Sequence, residues 1–191
     1  MTKPIIGILA LQGCIEPHEK HLRALGAEVR LVRGARDLPG LQGLILPGGE
    51  STTMLKLAKQ FGLWDELRSL AKQIPFWGVC AGAILMARSV EQPFQESLDV
   101  VDLAVERNAY GRQMESFQDA VNTEAGGMRP AVFIRAPKFK SWGPSLHAAG
   151  RVGEEVAFLE DERHMVTAFH PELTDDGWFH ARFLARVVRV N

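Results

Sequence analysis

The chain has 191 residues, of which 46% are hydrophobic and 24% charged, and its formal net charge is −1. This composition is typical of a soluble globular protein and suits one domain spanning residues 1–191. The small net charge gives no electrostatic argument for binding nucleic acid or an anionic membrane, and no apolar run approaches the roughly 18 residues that cross a bilayer. The two cysteines, Cys14 and Cys80, cannot build a disulfide framework, which favours a cytoplasmic location.

The first half of the chain alternates between short apolar runs and runs with helical spacing. The predicted strands are Ile5–Ala10, Glu28–Val32, Gly43–Leu46 and Phe76–Val79. The predicted helices are Pro17–Leu25, a run through Met54 and Ala58 that Ser51 or Thr52 caps, and Leu63–Lys72. This alternation indicates an α/β fold with three layers, in which helices flank a doubly wound, mostly parallel sheet.

The second half has shorter apolar runs with polar breaks, which predict some antiparallel strands and a closing helix. These elements are Val100–Val105, Ala131–Ile134, Val156–Leu159, Met165–Phe169 and the helix Asp175–Val188. Ligands of doubly wound sheets bind beyond the carboxyl ends of the strands. Cys80, His170 and the Gly48-Gly49 pair all follow predicted strands, so we expect one crevice to contain them.

The segment Gly78-Val79-Cys80-Ala81-Gly82 lies between a predicted strand and an apolar, helix-forming run. Strand, Gly-x-Cys-x-Gly and helix form the setting of a nucleophile elbow with a thiol in place of a hydroxyl. The glycines permit a sharp turn and a close helix, and the helix N-terminus favours thiolate over thiol. A buried structural cysteine on a tight turn is the alternative interpretation.

A cysteine nucleophile needs a base, and the base needs an orienting group. His170-Pro171-Glu172 offers both, because positions i and i+2 of an extended segment point to the same side. The alternative is a histidine at a strand end beside a solvated glutamate. The turn at Gly48-Gly49 predicts an oxyanion hole made with the N–H of Ala81. A phosphate cradle or a plain turn is the alternative there, although no lysine is placed for a phosphate loop.

Other polar residues give weaker signals. Arg107, in the polar segment 107–113, has the guanidinium fork that grips a substrate carboxylate, although such a segment is also typical of a surface loop. His18 and His21 have helical i, i+3 spacing but lack a third ligand, so no metal site is predicted. Nothing around Cys14 resembles an elbow, and we interpret it as a spare thiol near the crevice.

Six segments taken in order resemble one known family, the glutaminase subunits of pyridoxal 5′-phosphate synthase within the class I (triad) glutamine amidotransferases. They are Ala10–Gly13, Leu46–Thr53, Cys80–Gly82, Glu106–Gln113, Phe133–Pro137 and His170–Thr174. Cys-Ala-Gly and His-Pro-Glu point to the superfamily, whereas the Arg-Asn-x-x-Gly-Arg-Gln and Phe-Ile-Arg-Ala-Pro segments are much more specific. The resemblance covers nearly the whole chain, with departures at Val79, at Gln118 and in the stretch from Cys14 to His18.

The resemblance implies hydrolysis of L-glutamine to glutamate and ammonia without a cofactor. The ammonia would pass to a barrel-shaped synthase subunit that makes pyridoxal 5′-phosphate, and the region of Gln12 would sense docking. Cys80 would attack the amide, His170 would act as base and then acid, and Glu172 would orient His170. The residues implied around glutamine are Gly48, Gly49, Glu50, Arg107, Ile134 and Arg135.

Two other functions remain open from the sequence. One is a glutaminase that supplies a different synthase, such as one for histidine or purines. The other is a non-catalytic binding or chaperone-like protein built on the same sheet, in which Cys80 would react as an ordinary thiol.

Overall fold

Two sheets organise the computed structural model, which describes residues 3–107 and 116–190. The strands are β1 Ile5–Leu9, β2 Glu28–Val32, β3 Gly43–Leu46, β4 Phe76–Val79, β5 Ala87–Glu91, β6 Val101–Glu106, β7 Ser116–Thr123, β8 Gly127–Ile134, β9 Lys138–Trp142, β10 His147–Val152, β11 Glu155–Glu160 and β12 Met165–Thr167. The helices are α1 Glu16–Ala24, α2 Ser51–Gln60, α3 Trp64–Leu70, α4 Ala81–Met86 and α5 Trp178–Val190.

The larger sheet has the strand order β2-β1-β3-β4-β12-β11-β10-β7-β8. Its first five strands pair in parallel, and the remaining strands continue it with antiparallel pairs. The smaller sheet has the order β5-β6-β9. Because β4 and β12 are parallel neighbours, the segments that follow them emerge side by side at the carboxyl edge. The predicted fold class is confirmed, including the antiparallel strands of the second half.

Helices cover both faces of the parallel strands, as two glycines show. A Cβ on Gly43 of β3 would lie 2.6 Å from Val187 of α5, and one on Gly78 of β4 would lie 2.7 Å from Gly82 of α4. Gly78 pairs with Leu46, which points to the opposite face from Gly43 because side chains alternate along a strand. The sheet therefore separates α5 from α4, which gives three layers.

Burial explains why these elements form. Every residue of β3 and β4 is buried, as expected of parallel strands covered on both faces. Helix α5 buries Phe179, Phe183 and Val187, which are spaced by four residues and form one apolar face. Among the described residues, no helix has the length and apolarity needed to cross a bilayer.

Some sequence expectations about individual elements are wrong. The cap of α2 is Glu50, whose carboxylate accepts hydrogen bonds from the N–H groups of Thr52 and Thr53 at 3.3 and 2.8 Å. Helix α5 begins at Trp178, where the N–H donates to the carboxylate of Asp176 at 2.9 Å. Strands β5, β7, β9 and β10 were not predicted, because their apolar patterns are weak and pairing with neighbouring strands determines them.

Candidate active site

Cys80 lies at a strained turn between β4 and α4. Its backbone angles are φ 48° and ψ −101°, and its N–H donates to the carbonyl of Thr167 at 2.8 Å. A Cβ on Gly82 would lie 1.9 Å from the carbonyl oxygen of Leu46, so only glycine allows α4 to pack this closely. The close approach is the one predicted for the glycines of the elbow. Strain of this kind persists where the surrounding structure fixes it, and it clusters at functional sites.

His170 and Glu172 form a buried pair directly after β12. Nδ1 of His170 lies 2.8 Å from Oε1 of Glu172, and the backbone N–H of His170 donates to the carbonyl of Val132 at 2.7 Å. The segment between them is a 3-10 turn, Pro171–Leu173, so the expected extended geometry is wrong. Proline favours the first position of such a turn, since its φ is already set near −65°. The turn still brings the carboxylate to the ring.

The His170 ring is held in its protonated form. Burial by itself would lower the pKa of His170, but hydrogen bonds with Cys14, Cys80 and Glu172, together with the negative charge of Cys80, raise it to about 12. At neutral pH the ring is therefore an imidazolium, a state that the neighbouring carboxylate of Glu172 favours. A protonated imidazole beside sulfur is the arrangement that activates cysteine nucleophiles.

A cavity of about 280 Å³ opens in front of Cys80 and His170. Eight of the ten residues predicted for the site line it: Gly49, Glu50, Cys80, Ala81, Arg107, Ile134, Arg135 and His170. The other two, Gly48 and Glu172, contact the His170 ring. A Cβ on Gly48 would lie 2.1 Å from Cε1 of that ring, so glycine lets the backbone pass close to it.

Opposite charges stand at one end of the cavity. Nη2 of Arg107 lies 3.5 Å from Oε1 of Glu50. Burial alone would raise the pKa of Glu50, but hydrogen bonds from Thr52 and Thr53 lower it to about 2. Glu50 is therefore anionic at neutral pH and faces a guanidinium. The part of the predicted polar segment after Arg107, residues 108–113, lies outside the described residues.

The end of β8 also lines the cavity. The carbonyl oxygen of Ile134 lies 3.7 Å from Sγ of Cys80. The next residue, Arg135, has a positive φ of 43°, which L residues rarely adopt. A second strained residue thus borders the same cavity, on the strand that also pairs with His170 through Val132.

The loop after β1 is tied to the turn after β3. Oε1 of Gln12 accepts a hydrogen bond from the N–H of Glu50 at 2.7 Å, and the N–H of Cys14 donates to the carbonyl of Gly48 at 3.0 Å. A Cβ on Gly13 would lie 2.0 Å from that same carbonyl oxygen. Any movement of this loop would therefore be transmitted to the backbone that contacts His170.

A cluster of histidines behind Glu172 was missed by the sequence analysis. Nε2 of His18 lies 3.8 Å from Oε2 of Glu172, and Nδ1 of His18 lies 2.9 Å from Nε2 of His180. Burial, reinforced by nearby histidines that include His170, holds the pKa of His18 well below its usual value. Burial likewise lowers the pKa of His180 to about 3. The only sequence signal was the position of His18 on the buried face of α1, one turn before Leu22.

Cys14 lies close to the His170 ring. It lines the cavity, and its thiol lies within 4.8 Å of a ring nitrogen of His170. The expected position of Cys14 near the crevice is confirmed, and its interpretation as a spare thiol stays a prediction. No residue pattern around Cys14 could have shown how near its thiol lies to His170, since this depends on how the loop folds back over Gly48.

Comparisons with known proteins show which family the chain resembles. A protein of Deinococcus radiodurans named pyridoxal 5′-phosphate synthase subunit PdxT is 46% identical over 186 residues, which covers 94% of this chain and 95% of the relative. A protein of the same name from Thermus thermophilus is 43% identical over 183 residues, covering 94% and 96%. A solved structure described as a glutamine amidotransferase superposes with a TM-score of 0.91 at 41% identity, covering 96% and 98%. The model of the SNO glutamine amidotransferase family matches residues 8–189, and the chain belongs to that family.

Proposed function

We propose that this chain hydrolyses L-glutamine to L-glutamate and ammonia, and that it supplies the ammonia to a synthase subunit making pyridoxal 5′-phosphate. The observation that carries the proposal is the meeting of Cys80 and His170 at one cavity, with Glu172 bonded to the far nitrogen of the ring. Family membership and relatives named as subunits of pyridoxal 5′-phosphate synthase support the choice of reaction and pathway.

In the proposed reaction, the thiolate of Cys80 attacks the side-chain amide carbon of glutamine. The imidazolium of His170 gives its proton to the leaving nitrogen, the C–N bond breaks, and ammonia departs from a thioester. The ring, now neutral, takes a proton from water, which attacks the thioester and releases glutamate from the sulfur. Glu172 holds Nδ1 throughout, so that Nε2 remains the nitrogen that exchanges the proton.

The tetrahedral intermediates place a negative charge on the former amide oxygen. We assign its stabilisation to the N–H groups of Gly48, Gly49 and Ala81, which would form an oxyanion hole. Two observations support this: Gly49 and Ala81 line the cavity beside Cys80, and Gly48 contacts His170. The link from Gln12 to the N–H of Glu50 offers a route by which docking of the synthase would adjust these N–H groups.

The charges at the end of the cavity suit the amino-acid part of glutamine. Arg107 matches the α-carboxylate, and the carboxylate of Glu50 matches the α-ammonium group. Ile134 and Arg135 would contact the substrate through the backbone, and the Ile134 carbonyl already lies near Cys80. The whole chain, residues 1–191, would act as one glutaminase domain, since one buried core includes residues of both sheets.

The direct test is ammonia release from glutamine by the purified chain, alone and with the barrel-shaped synthase subunit. We expect turnover that rises with the synthase and that falls by several powers of ten in Cys80→Ala, as on removal of other nucleophiles. Persistent turnover in Cys80→Ala would exclude Cys80 as the nucleophile. Co-purification with a histidine or purine synthase instead would contradict the proposed pathway while leaving the glutaminase reaction intact. Retention in a cytoplasmic fraction would test the proposed location.

A further inference from the structure

Three ligand-type side chains converge beside the His170 ring. The thiol of Cys14, one ring nitrogen of His170 and a carboxylate oxygen of Glu172 all lie within 4.8 Å of one another. They come from two separate parts of the chain, the loop after β1 and the segment after β12 that contains both His170 and Glu172. Cys80 is not a member of this group, although it lines the same cavity as His170.

We infer that Cys14, His170 and Glu172 form a binding site for a thiophilic divalent cation such as Zn²⁺, and that its occupancy inhibits the enzyme. Thiolate, imidazole and carboxylate are the three side-chain ligands that zinc uses in proteins. Three protein ligands with a fourth position open to a cavity are typical of exchangeable zinc sites. Bonds of about 2.0–2.3 Å place zinc ligands roughly 3.5 Å apart, so rotation of the Cys14 side chain would close the remaining gap.

The charge balance of the group favours a cation. Thiolate and carboxylate together carry two negative charges, which a divalent cation neutralises without a further counterion. Because protons compete with a metal ion for its ligands, the affinity would increase with pH.

Neighbouring groups would help to fix the ligands. Oε2 of Glu172 is buried and has no hydrogen-bond partner among the described residues. Nε2 of His18, 3.8 Å away, is likewise buried and has no hydrogen-bond partner among them. A small shift would let His18 donate to that oxygen and orient the carboxylate, as partners of metal ligands commonly do. Cys14 is half-buried and lines the cavity, so a metal ion can reach the group from solvent.

A bound metal ion is expected to inhibit the enzyme because it would occupy groups that the reaction needs. A cation bound to His170 takes the ring nitrogen or the carboxylate that the proposed hydrolysis uses, so the ring can no longer exchange a proton with the substrate. This part of the inference rests on the proposed glutaminase function, whereas metal binding itself does not. The two parts therefore need separate measurements.

Binding is measured with Co²⁺, which substitutes for Zn²⁺ and gives near-ultraviolet absorption when a thiolate ligates it. The Cys80→Ala chain is used, because Cys14 is then its only thiol. We expect thiolate absorption that Zn²⁺ abolishes, and an affinity about tenfold or more weaker after the additional change His170→Gln. The matched change His147→Gln, at an exposed histidine outside the cavity, leaves the affinity unchanged. Absence of thiolate absorption, or equal affinities in the two double variants, would overturn the site.

Inhibition is measured on the otherwise unaltered chain and on Cys14→Ala, each relative to its own rate without metal. We expect Zn²⁺ to inhibit ammonia release, a chelator to restore it, and Cys14→Ala to raise the inhibition constant about tenfold or more. Equal inhibition constants would show that zinc acts through Cys80 alone and would refute the role of Cys14. A chain that binds Co²⁺ through Cys14 but never hydrolyses glutamine would retain the site and lose the proposed function.

Discussion

The histidine that faces the cavity and the histidines behind Glu172 have pKa values shifted in opposite directions. On the cavity side, Cys14 and Cys80 join Glu172 in raising the pKa of His170. Behind Glu172, burial dominates and holds the pKa values of His18 and His180 far below their usual values. The imidazole side chain is thus protonated at His170 and neutral at the neighbouring His18 and His180. The difference teaches that hydrogen bonds with acidic side chains, and not burial alone, decide which of these buried histidines carries a charge.

The largest expected effect comes from removing the charged ring. His170→Gln should lower the rate of ammonia release about 10⁴-fold or more, because neither the thiol nor the leaving nitrogen can then exchange a proton with the side chain. His147→Gln is the matched control, since His147 is exposed and pairs only with Glu124 among the contacts described for it. Similar rates in the two variants would contradict the role of His170 as acid and base.

Removing the negative charge of Glu172, which lies between His170 and the buried histidines, should have the next largest effect. Glu172→Gln retains an oxygen near Nδ1 but not its charge, so we expect the rate to fall about 10²- to 10³-fold. The pKa of His170 should fall as well, which would move the alkaline limb of the pH–rate profile to lower pH. Glu162→Gln, at an exposed position, serves as the control. A slower enzyme with an unchanged profile would indicate a purely structural effect of Glu172.

Displacing the His170 ring without changing its chemistry tests whether its position in the cavity matters for turnover. A Cβ at position 48 would overlap Cε1 of His170 at 2.1 Å, so Gly48→Ala should shift the ring and slow turnover about 100-fold. Gly34 has ordinary extended angles and no neighbour within 4 Å of the added carbon, so Gly34→Ala should leave the rate unchanged. Comparable rates for the two variants would mean that the position of the ring is not critical.

The neutral buried histidines should lower the folding stability in acid. Below pH 6.5 an unfolded histidine gains a proton, whereas buried His18, His164 and His180, with lowered pKa values, do not. Folding stability should therefore fall as the pH drops from 6.5 towards 5, by about 1.4 kcal/mol per pH unit for each such histidine. Well below pH 6.5 His170 adds little slope, because it is protonated in the unfolded state and, with its raised pKa, in the folded state as well. Denaturant titrations at several pH values measure the slope.

A single substitution sharpens this prediction. His180→Phe removes one of the three neutral histidines and keeps an aromatic ring against Trp77. The slope of stability against pH should then fall by about one third, whatever the change in absolute stability. An unchanged slope would show that His180 takes up its proton in the folded state.

The sequence predicts the parallel half of the molecule closely, because the signals there are local. Strands Glu28–Val32, Gly43–Leu46 and Phe76–Val79 have the predicted bounds. The last two are short apolar runs in which every residue is buried, and such runs are typical of strands covered on both faces. The elbow is also local, because the glycines around Cys80 determine how closely α4 packs. The antiparallel half depends on pairing between strands with weak apolar patterns, such as β7 and β10, and was predicted only in part.

The surroundings of the predicted triad could not be read from the sequence. His18 and His180 are 162 positions apart and contact each other only because α1 packs against α5. Cys14 contacts His170 only because its loop folds back over Gly48. The sequence analysis placed Glu50 beside the substrate, but it predicted that Ser51 or Thr52, and not Glu50, caps α2. Each of these contacts depends on the tertiary arrangement, which no local pattern describes.

The most direct test of the account is covalent trapping with a diazoketone analogue of glutamine, followed by peptide mapping. The analogue reacts with a thiol only where glutamine binds and an acid protonates it, so it distinguishes the two thiols that contact His170. We predict a single label on Cys80, protection by glutamine, and no label in His170→Gln. Labelling of Cys14, or of both thiols at equal rates without protection by glutamine, would contradict the assignment of Cys80 as the nucleophile.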